Sequence, residues 1–69
     1  MTDSAALRDI IGKTGLKYRF IAEQLNLSPY GLAKKIDNKN EFKASEIVTL
    51  SDLLCLSERT QMRIFFSKT

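Results

Sequence analysis

Seven of the eleven cationic side chains of this 69-residue chain fall between Lys13 and Lys43: Lys13, Lys17, Arg19, Lys34, Lys35, Lys39 and Lys43. Only Glu23, Asp37 and Glu41 oppose them there, whereas the rest of the chain holds four cations and five anions. Ammonium and guanidinium groups gathered on one stretch are the donors a phosphate backbone recruits, so the chemistry on offer is polyanion binding. Lysines dispersed to solvate a surface are the plainer alternative. Bond-making chemistry is poorly provided for. Without a His the chain lacks the side chain that exchanges protons near neutral pH. Cys55, the single thiol, has no base to activate it and is expected to be a semi-buried small hydrophobe behind an apolar stripe. One thiol and no imidazole make no zinc site, and no pair of carboxylates is set among apolar residues. These features predict a protein that is not an enzyme and uses no metal, cofactor or small-molecule substrate.

The elements that would position those charges are clearest from Tyr18 to Asn38, YRFIAEQLNLSPYGLAKKIDN. Ile21, Ala22 and Leu25 recur on one face of a helix; Asn26 breaks the pattern and Leu27 plugs the corner. Ser28 suits an N-cap, and Pro29 suits the first helical position, where its missing N–H costs nothing. Leu32 and Ile36 supply the apolar face of the helix that follows. Ala22 lets two helices cross closely, and Asn26 tolerates the left-handed backbone usually given to Gly. Two short helices about a tight turn, over about residues 18–37, form the pattern of a helix-turn-helix, whose second helix typically enters the DNA major groove.

The helical pattern continues on both sides. Ser4 is expected to cap a first helix from about Ala5 to Thr14, with Leu7, Ile10 and Ile11 inward and Gly15 ending it. Asp37-Asn38-Lys39-Asn40 reads as a polar turn closed by Phe42 as a core anchor. Ile47, Leu50, Ser51 and Leu54 recur at i, i+3, i+4 and i+7 and predict a fourth helix over about Ala44–Leu54. Ser57 caps a fifth, from Glu58 to about Phe66, turned inward through Met62 and Phe65 or Phe66. No stretch alternates persistently with period two, so no sheet is expected. The expected fold is all-α, one domain over residues 1–69, a compact bundle of about five short helices. An apolar content of 43% argues against disorder. No run approaches the ~18 apolar residues of a membrane span, and Met-Thr-Asp-Ser-Ala-Ala lacks the order of a signal peptide. A single cysteine fits a reducing cytosol.

The run GLKYRFIAEQLNLSPYGLAKKIDNKNEF, followed by SEIVTLSDLLCLS, resembles the Cro/repressor-type (lambda-repressor-like, XRE-like) helix-turn-helix family. Within that family it looks like the small Cro-like and modulator-of-repression proteins of temperate phages of Gram-positive bacteria. The likeness covers roughly Leu7 to Phe66. Ala22, the turn at Asn26, the cap at Ser28 and the loop Asp37-Asn38-Lys39 carry it. Asn26 and Asn38 stand where Gly is usual, and Lys35 where many members are apolar. Cys55 stands where a helix-ending Gly is common; Cys suits positive φ poorly, so the fourth helix is expected to end differently.

The resemblance implies a transcriptional regulator of a lysis–lysogeny type switch, acting on double-stranded operator DNA in the cytoplasm of a bacterial host. Base contacts would then come from Pro29, Tyr30, Gly31, Ala33 and Lys34. Lys34 can donate to guanine O6 and N7, and Tyr30 can offer a hydroxyl or its ring. The alternative for Tyr30 is to cover the corner between the two helices. Gly31 signals a close approach, to DNA or to the preceding helix. Lys17, Tyr18, Ser28, Lys35, Lys39, Asn40 and Lys43 are the candidates for phosphate contacts, with Lys35 alternatively snorkelling from a half-buried site.

A protein partner is the second expectation. Phe20, beside Arg19, falls near the outward face of its helix, and either anchors a partner or tucks against the first or fourth helix. Ile64, Phe65 and Phe66 exceed what one helical stripe buries, so the surplus would serve a homodimer or a heterologous repressor. The modulator relatives imply the latter, an antirepressor.

Overall fold

Asp3, rather than Ser4, opens the first helix: its carboxylate accepts from the Ala6 N–H at 3.1 Å. Ser4 is already helical, and its hydroxyl donates instead to the Ile36 carbonyl, tying the start of the first helix to the end of the third. In the computed structural model, which describes residues 1–66, the elements are α1 (Ser4–Thr14), α2 (Tyr18–Gln24), α3 (Pro29–Ile36), α4 (Ala44–Leu53) and α5 (Glu58–Phe65). No strand occurs among the described residues, and the protein is a small all-α bundle. None of these helices is long and apolar enough to cross a membrane.

Three helices end in the same way. Asn26 (φ 58°), Asn38 (φ 64°) and Cys55 (φ 53°) each take the left-handed conformation one step past a helix cap. The next N–H then folds back to a carbonyl five residues earlier: Leu27 to Ala22 at 2.8 Å, Lys39 to Lys34 at 2.9 Å, and Leu56 to Ser51 at 2.9 Å. This is the Schellman closure, which satisfies carbonyls a helix end would leave unpaired. Cys55 therefore closes α4 as Gly would, against the expectation of a different ending, and accepts a strain of about 1–2 kcal/mol for an L-residue there. It is also exposed, not semi-buried. Gly15 (φ 74°) ends α1 without that cost. Ser28 and Ser57 cap α3 and α5, accepting from Gly31 at 3.0 Å and Thr60 at 3.2 Å.

The core is drawn from every helix: Leu7 and Ile11, Ile21 with Ala22 and Leu25, Leu32 and Ile36, Ile47 with Leu50 and Leu54, Ile64 and Phe65. α3 lies centrally, packed on α1 and α2, while α5 packs on α1 and α4 on α2. Phe42 meets Phe65 edge-on at 5.4 Å, anchoring the α3–α4 loop as expected. α5 turns Phe65 inward as expected, but not Met62. Ile64 and Phe65 are its buried pair, and Met62 points outward together with Phe66. Ser51 faces inward, and its hydroxyl finds no hydrogen-bond partner.

Candidate nucleic-acid interface

α3 turns Leu32 and Ile36 into the core, which leaves Pro29, Tyr30 and Lys34 toward the other side. Tyr30 is 74% exposed. The Lys34 ammonium sits over its ring, 5.3 Å from the centroid, a cation–π contact across one helical turn. The two residues with readable side chains on this helix are thus held together. Ala33 and Gly31 are half-buried beside them. Gly31 is explained without a ligand: a Cβ there would lie 3.2 Å from the Ser28 hydroxyl that caps the helix.

The phosphate candidates divide. Lys17, Tyr18 and Ser28 are exposed at the starts of α2 and α3, and Lys39, Asn40 and Lys43 are exposed on the α3–α4 loop. Lys35 leaves the set. It is only 9% exposed, and its ammonium lies 2.5 Å from Glu46 Oε1. The helical phase decides this, because Lys35 follows Lys34 by 100° and comes round to the α4 side of α3. Its stem fills core surface, as the snorkelling alternative foresaw, but its head meets a carboxylate instead of water.

Glu46 was not singled out from the sequence. The same Oε1 accepts from the Lys43 N–H at 2.8 Å, the half of a capping box that a Lys, having no acceptor, cannot return. Burial pushes the Glu46 carboxyl up, yet the Lys35 ammonium and the Lys43 amide outweigh it and hold the group below its ordinary value. The Glu three residues after a helix start was the available signal, disguised by Lys in the cap position. A second unforeseen pair joins Arg8 of α1 to Asp37 at 2.5 Å, and Asp37 in turn raises the Arg8 pKa. Nothing in local sequence marks a contact across 29 residues.

Pairing determines which charges remain available. Lys13 is held by Asp9 at 3.1 Å. Among the described residues Lys17, Arg19, Lys34, Lys39 and Lys43 enter no ion pair. The expected partner surface also divides. Phe20 is 42% exposed beside exposed Arg19, and Phe66 is 54% exposed, whereas Ile64 and Phe65 are core and cannot meet a partner. No family model, no curated protein and no solved structure matches this chain.

Proposed function

We propose that this protein is a small phage- or prophage-type transcriptional regulator that binds double-stranded operator DNA, with α2 and α3 acting as a helix-turn-helix. The observation that carries the reading is the joint placement of the Tyr30–Lys34 pair, outward on a helix entered through the Asn26 turn, and unpaired cations on the segments flanking that helix. α3 lies in the major groove, where Lys34 leaves the Tyr30 ring to donate to guanine O6 and N7. Tyr30 adds its hydroxyl or its ring face. Because Pro29, Gly31 and Ala33 offer little to read, discrimination is modest, and Lys17, Tyr18, Ser28, Lys39, Asn40 and Lys43 supply affinity through phosphates.

A single module covers only roughly 600–1,000 Å² on DNA. Useful specificity therefore calls for two half-sites about 34 Å apart, occupied by a homodimer or by this chain beside a heterologous repressor. Regulation is steric, by occupancy of an operator in the cytoplasm of a bacterial host. Exposed Phe20 and Phe66 favour a second reading, an antirepressor that captures a repressor protein through an apolar surface.

Selection from randomised duplexes, run beside a Lys34→Ala control, tests the first reading against the second. Enrichment of a half-site or inverted repeat that relaxes at one base position in the control supports the operator binder, with about 1–3 kcal/mol lost there. A folded sample that enriches nothing removes sequence-specific binding and leaves repressor capture.

A further inference from the structure

The α3–α4 loop, residues 37–43, is fastened at more points than a surface connection needs. Lys39 and Asn40 both donate their N–H groups to the Lys34 carbonyl, at 2.9 and 3.3 Å. Lys43 is fixed by Glu46. Between them Asn38 does two things at once. Its backbone supplies the positive φ that closes α3, and its side-chain amide pairs in both directions with the backbone of Thr2. The Thr2 N–H donates to Oδ1 at 2.8 Å, and Nδ2 donates to the Thr2 carbonyl at 2.8 Å. Gly would satisfy the backbone alone, so the amide is an addition whose effect is to bind the loop to the N-terminal segment. That segment is itself fixed, since the Asp3 N–H donates to the Ile64 carbonyl at 2.7 Å.

The loop's charges are arranged to the same end. Asp37 is taken up by Arg8 and Glu46 by Lys35, so the acids at either end of the loop are neutralised from within the fold. Lys39, Asn40 and Lys43 stay exposed, with Glu41 the one acid of the loop that enters no ion pair among the described residues.

We infer that residues 37–43 form a preorganised phosphate-binding loop and that Asn38 is its positioning residue, acting through the Thr2 clamp without touching DNA. The inference rests on the DNA-binding reading above and specifies a function for this loop within it. A loop ordered in advance does not have to lose freedom when its lysines meet phosphates, so its contribution to affinity is larger than that of the same charges on a loose loop.

Asn38→Gly isolates the clamp, because Gly keeps the left-handed backbone at no steric cost. Binding to a short mixed-sequence duplex would be followed by fluorescence anisotropy between about 50 and 200 mM salt, with each variant shown folded by circular dichroism. Lys39→Ala is the reference for lost direct contact: its slope of log K against log salt should fall by about 0.9. Asn38→Gly should instead bind about tenfold more weakly with an unchanged slope, since every cation remains and only its placement is lost. Wild-type affinity in Asn38→Gly would overturn the inference while leaving DNA binding intact. A slope reduced as in Lys39→Ala would overturn it too, by making Asn38 a contact residue. A wild-type protein with no salt-dependent affinity for duplex would sink the DNA-binding reading itself, and the loop's role with it.

Discussion

Replacing Lys35 by Met should damage the fold and spare the interface, the reverse of what a phosphate contact would do. The Lys35–Glu46 pair is nearly closed to water on both sides, with side chains 11% and 10% exposed. Removing one member of such a pair typically costs about 3–5 kcal/mol, because the other charge stays buried without compensation. Here the Lys43 N–H still supports Glu46, so the lower end, about 3 kcal/mol, applies. A chain of this length has a total stability on the order of 3–10 kcal/mol, so the loss is a large part of the whole. Lys35→Met combined with Glu46→Gln should recover most of it, as Gln keeps an acceptor for Lys43 and brings no charge. Urea melts of Lys35→Met, Glu46→Gln and the double variant beside the wild type give the coupling directly.

The pH dependence of that loss provides an internal check. The pair holds the Glu46 pKa below its ordinary 4.5, so its stabilisation is fully present above that value and is lost as pH falls through the lowered one. The gap between wild type and Lys35→Met should therefore be constant at neutral pH and shrink on acidification. A stability change under about 1 kcal/mol, the scale of an exposed pair, together with a salt slope reduced by about 0.9, would refute the burial argument and return Lys35 to the phosphate set.

Two further substitutions probe the helix ends and the core. Cys55→Gly should stabilise the protein by about 1 kcal/mol in urea melts, as the left-handed strain outweighs the entropy Gly adds to the unfolded chain; a loss would mean the thiol has an unrecognised contact. Ser51→Ala should stabilise the protein as well, by about 1 kcal/mol, because it deletes a buried hydroxyl with no partner. A drop in Tm on that change would show that the hydroxyl is hydrogen-bonded in solution.

The elements that local chemistry dictates were legible. Ser28-Pro29, Ser57 and Gly15 mark helix ends through capping and backbone freedom, and the structure puts those ends within a residue of expectation. Asn26 was legible as a left-handed residue for the same reason, and Asn38 through the resemblance, which puts Gly at its place. Cys55 was not, because the Schellman bonds of α4 impose the conformation whatever residue stands there. The α5 face went wrong at Met62: apolar type alone does not fix phase, and Ile64-Phe65 won the core. Within the candidate site, Tyr30 and Lys34 follow from helical phase. Lys35, Glu46, Arg8 and the Asn38–Thr2 clamp depend on which distant segments meet, and charge counted along a chain carries no record of that.

Pairing also sets a ceiling that the composition alone would misplace. Seven cations stand between Lys13 and Lys43, but Asp9 and Glu46, both from outside the stretch, remove Lys13 and Lys35 from the available set. Lys17, Arg19, Lys34, Lys39 and Lys43 remain. If every one of those met a phosphate, the slope of log K against log salt would reach about −4.5 for one protomer, since each neutralised phosphate contributes about 0.9. With Lys34 turned to a base edge the expected figure is shallower, about −3.6. A titration at several salt concentrations on a duplex long enough for one half-site should fall within that limit. A slope clearly steeper than about −4.5 on such a duplex would mean that two copies bind together, or that further cations join the contact, either Arg59 or Arg63 of α5 or a Lys13, Arg8 or Lys35 that leaves its carboxylate on DNA. The Lys35 case is separable, because the slope would then fall by about 0.9 in Lys35→Met and survive every mutation that only disrupts self-association.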